Sequence, residues 1–309
     1  MRGVRWGDDG VVVDEVDEPT ADRGEVVMDV AVASICGTDI HFLRETGARH
    51  VLGHEFAGWV DGVPHAVEPT VFCGVCEQCR AGHTQRCTGG RVNIGVAADG
   101  GLADRVLLPD YALVALPDGL TVEDASLVEP ASVSWHGVRR AELEPGESVA
   151  VVGAGSIGLL AVAALRHHGH DASIVARHPH QRAAADRFGA GPATGARRVI
   201  DAVGGEAGLA RCGELVRPGG RVVLLGVSTG TMPIPAVATL VKEITWIGSI
   251  GRCVHDGVRE SDEVAAMLAA RPEIAETVIT HRFALDDAAE AFRVADDRAS
   301  GAIKVALHP

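Results

Sequence analysis

The sequence contains few aromatic residues, few lysines and no long apolar segment. Aromatic residues make up 4% of the 309 residues and hydrophobic residues 47%, so the core must consist mainly of small and aliphatic side chains. Lys242 and Lys304 are the only lysines. No apolar stretch reaches the length of about 18 residues that indicates a transmembrane helix, so we expect no membrane span.

Charge and the N-terminal sequence exclude further classes of protein. The formal net charge is -14, which argues against nucleic acid or an anionic membrane surface as a partner, because both repel an acidic protein. The first residues lack the apolar core of a signal peptide, so we expect a cytoplasmic location. A chain of this length suffices for two domains, each with its own core.

The seven cysteines are too few for a disulfide scaffold, and five of them lie in segments with the spacing of metal ligands. Four of the five form a compact pattern, namely Cys73, Cys76, Cys79 and Cys87. Four thiolates with no other donor predict a closed tetrahedral zinc site. Such a site has no open position for a substrate, so its role would be structural. The alternatives are a redox dithiol or chance clustering.

A second group of potential metal ligands lies earlier in the chain. Cys36 and His54 supply a thiolate and an imidazole, which are ligand types that zinc prefers. Between them lie the hydroxyl of Thr38 and the imidazole of His41. A metal that polarises an oxygen, with a hydroxyl and a base nearby, can take a proton from an alcohol. These residues alone leave open whether they form a catalytic zinc site.

A glycine motif indicates a nucleotide site in the second half of the chain. Gly153, Gly155 and Gly158 follow an apolar strand pattern and begin a helix pattern rich in alanine and leucine. The glycines let the backbone approach a pyrophosphate, and the helix N-terminus stabilises its charge. In this context the motif predicts a dinucleotide site. The site would also include Ser156, Ile157 and, at the end of a later strand, Gly226.

The next strand indicates which nicotinamide coenzyme binds. An acidic residue at its end would bind the ribose 2′-hydroxyl of NAD, but that place holds Ala176, followed by Arg177. Arg182 follows at the start of the next helix. Because no carboxylate would repel a 2′-phosphate and an arginine could pair with it, the sequence predicts NADP in preference to NAD. The alternative is that Arg177 only faces solvent.

Two of these segments resemble a known family. The Cys-Gly-Thr-Asp-x-His segment from Cys36 and the Gly-His-Glu-Phe-Ala-Gly segment from Gly53 resemble the zinc-dependent medium-chain dehydrogenase/reductase superfamily, in its polyol and threonine dehydrogenase branch. The resemblance covers nearly the whole chain. It implies an α/β fold with a GroES-like, β-rich catalytic domain over 1–130 and 270–309. It also implies a Rossmann dinucleotide-binding domain over 131–269.

The resemblance also implies an activity and roles for the site residues. The activity is hydride transfer between a secondary alcohol (a polyol, a sugar or a related hydroxy compound) and NADP(H), with one catalytic and one structural zinc per chain. Cys36 and His54 are the implied ligands of the catalytic zinc. The implied proton relay runs from Thr38 to His41. Asp39 is expected to orient an imidazole such as His54.

Two glutamates are further candidates for the catalytic zinc. Glu55 directly follows His54 and is implied as a ligand that exchanges on and off the metal, with a salt bridge as the alternative. Glu129 lies in an apolar stretch, where a carboxylate is costly unless it is paired. The resemblance implies that Glu129 contacts the metal directly or through water, and the alternative is a surface or helix-capping carboxylate. Lys304, in the final strand, either faces the cleft or is solvated.

Two segments are shorter than the family pattern. Only nine residues separate Gly189 from Val199, fewer than the dozen or so that a parallel crossover with a helix needs. We therefore expect a shortened parallel sheet of five strands. The segment from Gly58 to Val71 is also short. Both differences bear on the depth of the cleft and on subunit contacts, although a homodimer or homotetramer is expected.

Two other functions stay open at this point. One is a carbonyl or enoyl reductase of the same superfamily. The other is a relative that binds NADP(H) and zinc without turnover. For a dehydrogenase or a reductase, the expected partner is a small-molecule alcohol or carbonyl compound.

Overall fold

Two β-sheets of different kinds organise the chain. The computed structural model describes residues 1–47, 49–228, 230–297 and 299–309, and of Phe42 and Thr46 it describes only the backbone. One sheet has seven strands, most of them antiparallel, and the other has six parallel strands. The chain divides accordingly into unit 1, Met1–Glu129 with Arg252–Pro309, and unit 2, Pro130–Gly251.

The strands of the described chain are, in order, β1 (Arg2–Trp6), β2 (Val11–Glu15), β3 (Glu25–Ser34), β4 (Glu55–Val60), β5 (Val63–Val67), β6 (Thr70–Val71), β7 (Val92–Asn93), β8 (Arg105–Pro109), β9 (Leu113–Ala115), β10 (Val149–Val152), β11 (Ala172–Val175), β12 (Gly191–Pro192), β13 (Ala196–Asp201), β14 (Val216–Leu224), β15 (Thr245–Gly248), β16 (Val254–His255), β17 (Val258–Arg259), β18 (Ile279–Ala284) and β19 (Lys304–His308).

The α-helices are α1 (Leu43–Thr46), α2 (Glu77–Arg80), α3 (Val128–Arg140), α4 (Ser156–His167), α5 (Pro179–Arg187), α6 (Gly205–Leu215), α7 (Ala236–Lys242), α8 (Glu260–Ala270), α9 (Glu273–Val278) and α10 (Ala288–Asp296). A π-helix spans Thr38–Phe42, and short 3-10 helices span Thr84–Arg86, Asp110–Ala112, Val122–Leu127 and Leu285–Asp287. None of the helices in the described part of the chain has the length and hydrophobicity that crossing a bilayer requires.

Unit 1 is built around β3. The strand order in its sheet is β18-β19-β3-β4-β5-β9, and β8 also pairs with β3. The inward side chains form a core that includes Met28, Leu52, Phe56, Leu102 and Leu108, each at most 1% exposed. Full burial of one such side chain stabilises the fold by about 1.5–3 kcal/mol. This core holds in place the two loops that carry Cys36 and His54.

A tight hairpin accounts for the short segment after Gly58. Strands β4 and β5 pair antiparallel, with Val60 opposite Val63. The two residues between them, Asp61 and Gly62, both have positive φ angles, of 50° and 77°. Asp-Gly is well suited to the type I′ turn that needs this conformation. The strand-turn-strand unit is therefore present in its shortest form.

Unit 2 contains a six-stranded parallel sheet in the order β12-β11-β10-β13-β14-β15. The expectation of five strands was therefore wrong. The additional strand is β12, which has only two residues and pairs with β11 at the edge of the sheet. The chain then passes from Pro192 to Ala196 without a helix. The expectation of five strands assumed that every parallel connection contains a helix and therefore needs about a dozen residues. The connection from β12 to β13 contains no helix, so this minimum length did not apply.

The boundary between the units falls at Glu129 and Arg252. Residues 252–269, which the family resemblance places in the nucleotide-binding domain, belong to unit 1 in this division. Hydrogen bonds also tie this segment to unit 1, because Arg259 donates to the carbonyl groups of Tyr111 and Leu113 at 3.2 and 3.0 Å.

Candidate metal and coenzyme sites

Strand pairing in unit 1 brings Cys36 close to His54. In the antiparallel pair of β3 and β4, Ser34 lies opposite Glu55. Cys36 follows the end of β3 and His54 precedes the start of β4, so both lie at the same end of the pair. One ligand atom each of Cys36, His54 and Glu55 lie within 4.8 Å of one another. A thiolate, an imidazole and a carboxylate at this separation fit a zinc ion.

Asp39 shapes the loop that carries Cys36. It is fully buried, and its Oδ2 accepts a hydrogen bond from the Cys36 N–H at 2.8 Å. Its Oδ1 lies 3.5 Å from Nδ1 of His54. Burial alone lowers the pKa of His54, but Asp39 and Cys36 raise it well above its ordinary value. The contact directs Nδ1 toward Asp39, which leaves Nε2 of His54 to bind a metal.

Glu55 has a second strong partner in Lys304. Both side chains are buried, and the Lys304 ammonium donates to the two Glu55 oxygens at 2.8 and 2.6 Å and to the Ile35 carbonyl at 3.1 Å. Burial raises the pKa of Glu55, and Lys304 and His54 offset only part of this effect. Burial alone lowers the pKa of Lys304, but Glu55 and Cys36 raise it above its ordinary value.

The position of Lys304 contradicts one of the two expectations for it. The expectation that Lys304 is solvated is wrong, because only 3% of the residue is exposed. Sequence reasoning also missed its role as the counter-charge of Glu55. The signal was present, since one of only two lysines in the chain stands directly before the apolar run Val-Ala-Leu of the final strand.

Glu129 is buried and paired rather than placed at the surface. It lies in the first turn of α3 and is 8% exposed. The Arg252 Nη2 group donates to its Oε1. Glu129 also raises the pKa of Glu55 by repulsion, so the two carboxylates interact. Among the described residues, however, Glu129 is not part of the close group formed by Cys36, His54 and Glu55.

Thr38 and His41 both lie on the π-helix that follows Cys36. Thr38 is partly buried and His41 is exposed. His41 therefore has more access to solvent than Thr38. A relay that carries a proton from Thr38 through His41 to water needs this order of exposure. π-Helical turns are frequent at functional sites.

The four cysteines of the second group converge in a separate lobe of unit 1. Cys73, Cys76, Cys79 and Cys87 place their sulfur atoms within 4.8 Å of one another. The Cys87 sulfur lies 3.5 Å from that of Cys73 and 4.0 Å from that of Cys76. A tetrahedral zinc with Zn–S bonds of about 2.3 Å requires sulfur separations of about 3.8 Å. The arrangement therefore fits a four-thiolate zinc.

The electrostatics of this lobe also favour a bound cation. Backbone N–H groups of Cys79 and Thr88 lower the pKa of Cys76 to about 5. Burial and the neighbouring thiols raise the pKa of Cys79 to about 12. Four sulfurs at this distance cannot all ionise without a cation among them.

The glycine turn of unit 2 has the backbone geometry that a nucleotide site needs. Gly153 has a φ angle of 102°, and a Cβ on Gly158 would lie 1.8 Å from the Gly153 carbonyl oxygen. A Cβ on Gly155, in contrast, would meet no atom within 4 Å. The protein itself therefore requires glycine at the first and third positions, whereas the space at the second fits an approaching pyrophosphate. Ser156 and Ile157 form the first turn of α4.

Gly226, which follows β14, packs against the backbone of the turn that follows β13. A Cβ on it would lie 2.0 Å from the backbone nitrogen of Gly204. The buried Asp201 carboxylate accepts hydrogen bonds from the N–H groups of Val203 and Gly204. Two turns that follow the parallel strands β13 and β14 are thus fixed in contact. Ligands of such sheets bind at the carboxyl ends of the strands.

The residues after β11 include two exposed arginines, Arg177 and Arg182, which differ in their contacts. Arg182 donates to the Arg177 carbonyl at 2.8 Å and to the Ala176 carbonyl at 3.4 Å, so its Nη1 is tied to the backbone. Arg177 is exposed, and no carboxylate of the described residues forms an ion pair with it. Arg177 is therefore better placed than Arg182 to meet an anionic ligand.

Comparisons with known proteins agree with this architecture. Residues 22–118 match the alcohol dehydrogenase GroES-like domain family. L-Galactonate-5-dehydrogenase of Escherichia coli strain K12 is 31% identical over 307 residues, which cover 89% of this chain and 88% of that enzyme. L-Threonine 3-dehydrogenase of Anaeromyxobacter dehalogenans strain 2CP-C is 30% identical over 326 residues, which cover 94% of this chain and 93% of that enzyme.

A solved structure extends the similarity to the whole fold. A protein from Sinorhizobium meliloti 1021, crystallised with NADP, has a TM-score of 0.85 and 28% sequence identity, and the match covers 100% of this chain and 99% of that one. The likeness therefore includes both units. The chain belongs to the zinc-type medium-chain dehydrogenase/reductase family, in its polyol and threonine dehydrogenase branch.

Proposed function

We propose that the protein is a zinc-dependent oxidoreductase that transfers a hydride between a secondary alcohol and NADP(H). The alcohol would be a polyol, a sugar or a related hydroxy compound. The observation that carries this proposal is the approach of Cys36, His54 and Glu55 to within 4.8 Å of one another in unit 1. The relatives named above support it, since L-galactonate and L-threonine are both hydroxy compounds.

The residues of unit 1 would hold the metal and move the proton. Cys36 and His54 bind the catalytic zinc, and Asp39 keeps the His54 ring in position. When bound, the zinc polarises the oxygen of the alcohol, and the nicotinamide coenzyme accepts the hydride. Thr38 takes the proton from the substrate hydroxyl. His41, which is exposed, passes it to solvent.

A carboxylate completes the proposed ligand set. Glu55 is the nearer candidate, because it belongs to the close group with Cys36 and His54. Its bond to zinc would compete with its pair to Lys304, which fits a ligand that exchanges on and off. Glu129 would contact the metal directly or through water when it separates from Arg252. The four-cysteine lobe would hold the second, structural zinc.

The coenzyme is proposed to be NADP rather than NAD. Unit 2 lacks an acidic residue at the end of β11, where Ala176 lies. The exposed guanidinium of Arg177 can pair with the 2′-phosphate of NADP, which carries the charge that a carboxylate there would repel. Gly153, Gly155, Ser156, Ile157, Gly158 and Gly226 would surround the rest of the coenzyme, with Arg182 supporting the backbone of Arg177.

The protein is also proposed to form a homodimer or homotetramer. Helix α7 exposes Val237, Leu240 and Val241, each at 77%, and none of its residues is buried. Strand β15 lies at the edge of the parallel sheet. Apolar side chains beside an unpaired strand edge favour contact with a second copy of the chain.

The proposed function is tested by metal analysis combined with a coenzyme reduction screen. The purified protein should contain two zinc ions per chain and reduce NADP+ with at least one polyol, sugar or hydroxy acid. Cys36→Ser should lose one zinc and all activity, whereas Cys212→Ser, at a buried cysteine in unit 2, serves as the control. Two zincs and NADPH binding without turnover on any alcohol would instead identify a binding protein.

A further inference from the structure

The indole of Trp6 contacts the segment that carries the proposed proton relay. Trp6 is the last residue of β1, and its Nε1–H donates to the Asp39 carbonyl oxygen at 2.8 Å. Asp39 is the second residue of the π-helix and lies between Thr38 and His41. A residue of the N-terminal hairpin therefore fixes the main chain at a point between the two groups of the relay.

A second contact of the same indole lies just beyond the π-helix. The guanidinium carbon of Arg44 lies 5.6 Å from the centroid of the Trp6 ring, within the range in which a cation is attracted to an aromatic face. Arg44 belongs to α1, which continues directly from the π-helix. The indole thus contacts the segment on both sides of His41, at Asp39 by a hydrogen bond and at Arg44 through its ring.

The core of unit 1 restricts the orientation of the indole. The Trp6 ring packs edge-to-face on Phe292, with ring centroids 5.8 Å apart and an interplanar angle of 85°. Phe292 belongs to α10 and is 4% exposed. Edge-to-face packing is a favoured arrangement of two aromatic rings. Because Phe292 is fixed in the core, the contact keeps the N–H of Trp6 directed at Asp39.

The geometry of the relay segment explains why it needs this support. In the π-helix the Leu43 N–H donates to the Thr38 carbonyl, and turns of this type are rare. Ile40 and Leu43 fix the inner side of the segment in the core. On the outer side, a cleft of about 510 Å³ borders Trp6, Ile40 and Arg44. Close packing therefore does not hold this side, which leaves the two contacts of Trp6 to do so.

We infer that Trp6 is a positioning residue for proton transfer, because it holds the main chain that carries Thr38 and His41. This inference rests on the proposed dehydrogenase function and adds to it a residue outside the metal and coenzyme sites. Without the indole contacts, the segment would move relative to the metal. Proton transfer would then slow, since it requires hydrogen-bond distance at each step of the relay.

The test removes the indole N–H and keeps an aromatic ring. In Trp6→Phe the packing on Phe292 can persist, whereas the bond to Asp39 is lost. Trp246→Phe is the matched control, because the Trp246 Nε1–H donates to the Thr239 hydroxyl in unit 2 at 3.0 Å. Benzothienylalanine at residue 6, which replaces only the N–H by sulfur, keeps the inference testable if Trp6→Phe does not fold.

The first readout is the rate of proton transfer. Zinc-loaded enzyme is mixed with coenzyme and with the alcohol of highest kcat/KM in the screen described above. Trp6→Phe should form reduced coenzyme about 5–30-fold more slowly in the first turnover, with KM values changed less than about 2-fold. Lutidine, a hindered pyridine base that binds metals poorly, should restore part of the rate, because it can accept the proton directly. The zinc content should stay unchanged.

A second readout does not depend on activity. Amide hydrogen exchange is followed by mass spectrometry on peptides that cover 37–44. Exchange in Trp6→Phe should be at least about 5-fold faster than in the wild type, since loss of a hydrogen bond makes local opening easier. Arg44→Met, which removes only the cation–π contact, should give a smaller increase. Trp246→Phe should leave exchange in 37–44 unchanged.

The outcomes separate this inference from the proposed function. A slower first turnover that lutidine partly restores, together with faster exchange in 37–44, supports the inference. An unchanged rate or unchanged exchange in Trp6→Phe overturns it, and so does loss of zinc, a rate that lutidine does not restore, or an equal effect in Trp246→Phe. Absence of turnover in the wild-type protein on every alcohol would reject the proposed function, and the inference with it.

Discussion

Replacement of Lys304 by methionine would test how the buried charge of Glu55 is stabilised. Methionine has a similar length but no charge, so it leaves the packing of β19 largely intact. The substitution removes both hydrogen bonds to Glu55, at 2.8 and 2.6 Å, and the bond to the Ile35 carbonyl. Glu55 itself has no exposed surface, so water cannot replace the lost partner without a local opening of unit 1.

The expected cost is large relative to the total stability. Removing one partner of a buried ion pair costs about 3–5 kcal/mol, because an uncompensated charge stays behind. Domains are typically stable by about 5–15 kcal/mol. For a unit of this size, the loss corresponds to a decrease in melting temperature of about 6–20 °C. Lys304→Arg, which keeps the charge but changes the geometry, should cost less.

Calorimetry on zinc-free protein is the appropriate assay, because bound zinc would add its own stabilisation. The transitions of the two units must be resolved, since a protein with two units need not unfold in one step. The double variant Lys304→Met with Glu55→Gln should recover at least about 1 kcal/mol relative to the sum of the single variants. A loss below about 1 kcal/mol for Lys304→Met, or strict additivity in the double variant, would refute the reasoning.

Four further predictions concern the separate sites. Thr38→Val should lower kcat by about 10²–10⁴-fold through loss of proton transfer, with zinc content unchanged by metal analysis; loss of zinc would mean that Thr38 is structural. Cys76→Ser should release one zinc per chain and lower the melting temperature, whereas an unchanged metal content would argue against a four-thiolate site. Arg177→Ala should raise the KM for NADP+ at least about 10-fold with little effect on NAD+, since a charge-assisted bond contributes about 1.5–3 kcal/mol; equal preference before and after would contradict the assignment. Leu240→Glu with Val241→Lys should convert the oligomer to monomers in analytical ultracentrifugation, whereas an unchanged mass would show that α7 is not the contact.

The parts of the sites that could be predicted from the sequence are those encoded by close spacing. The four cysteines of the lobe and the three glycines around the start of α4 each lie within a short segment, where chain geometry alone limits how far apart they can be. The approach of Cys36 to His54 was harder, because it depends on the pairing of β3 with β4. The family resemblance, rather than the spacing, indicated it.

The partners of the two glutamates could not be predicted. Lys304 pairs with Glu55 across 249 residues, and Arg252 pairs with Glu129 across 123 residues. No local pattern encodes contacts of that range, and a lysine or arginine in a strand or loop is usually solvated. The two-residue strand β12 was missed for another reason, since a rule for full-length crossovers does not apply to so short an edge strand.

The pair of Arg252 and Glu129 has a consequence for the modularity of the protein. Glu129 is the last residue of unit 1 before the chain leaves it, and Arg252 is the first after the chain comes back. Their ion pair therefore holds close together the two chain ends that removal of unit 2 would create. A few glycines joining residues 129 and 252 would close the gap, so that unit 1 could be made as a separate protein without unit 2.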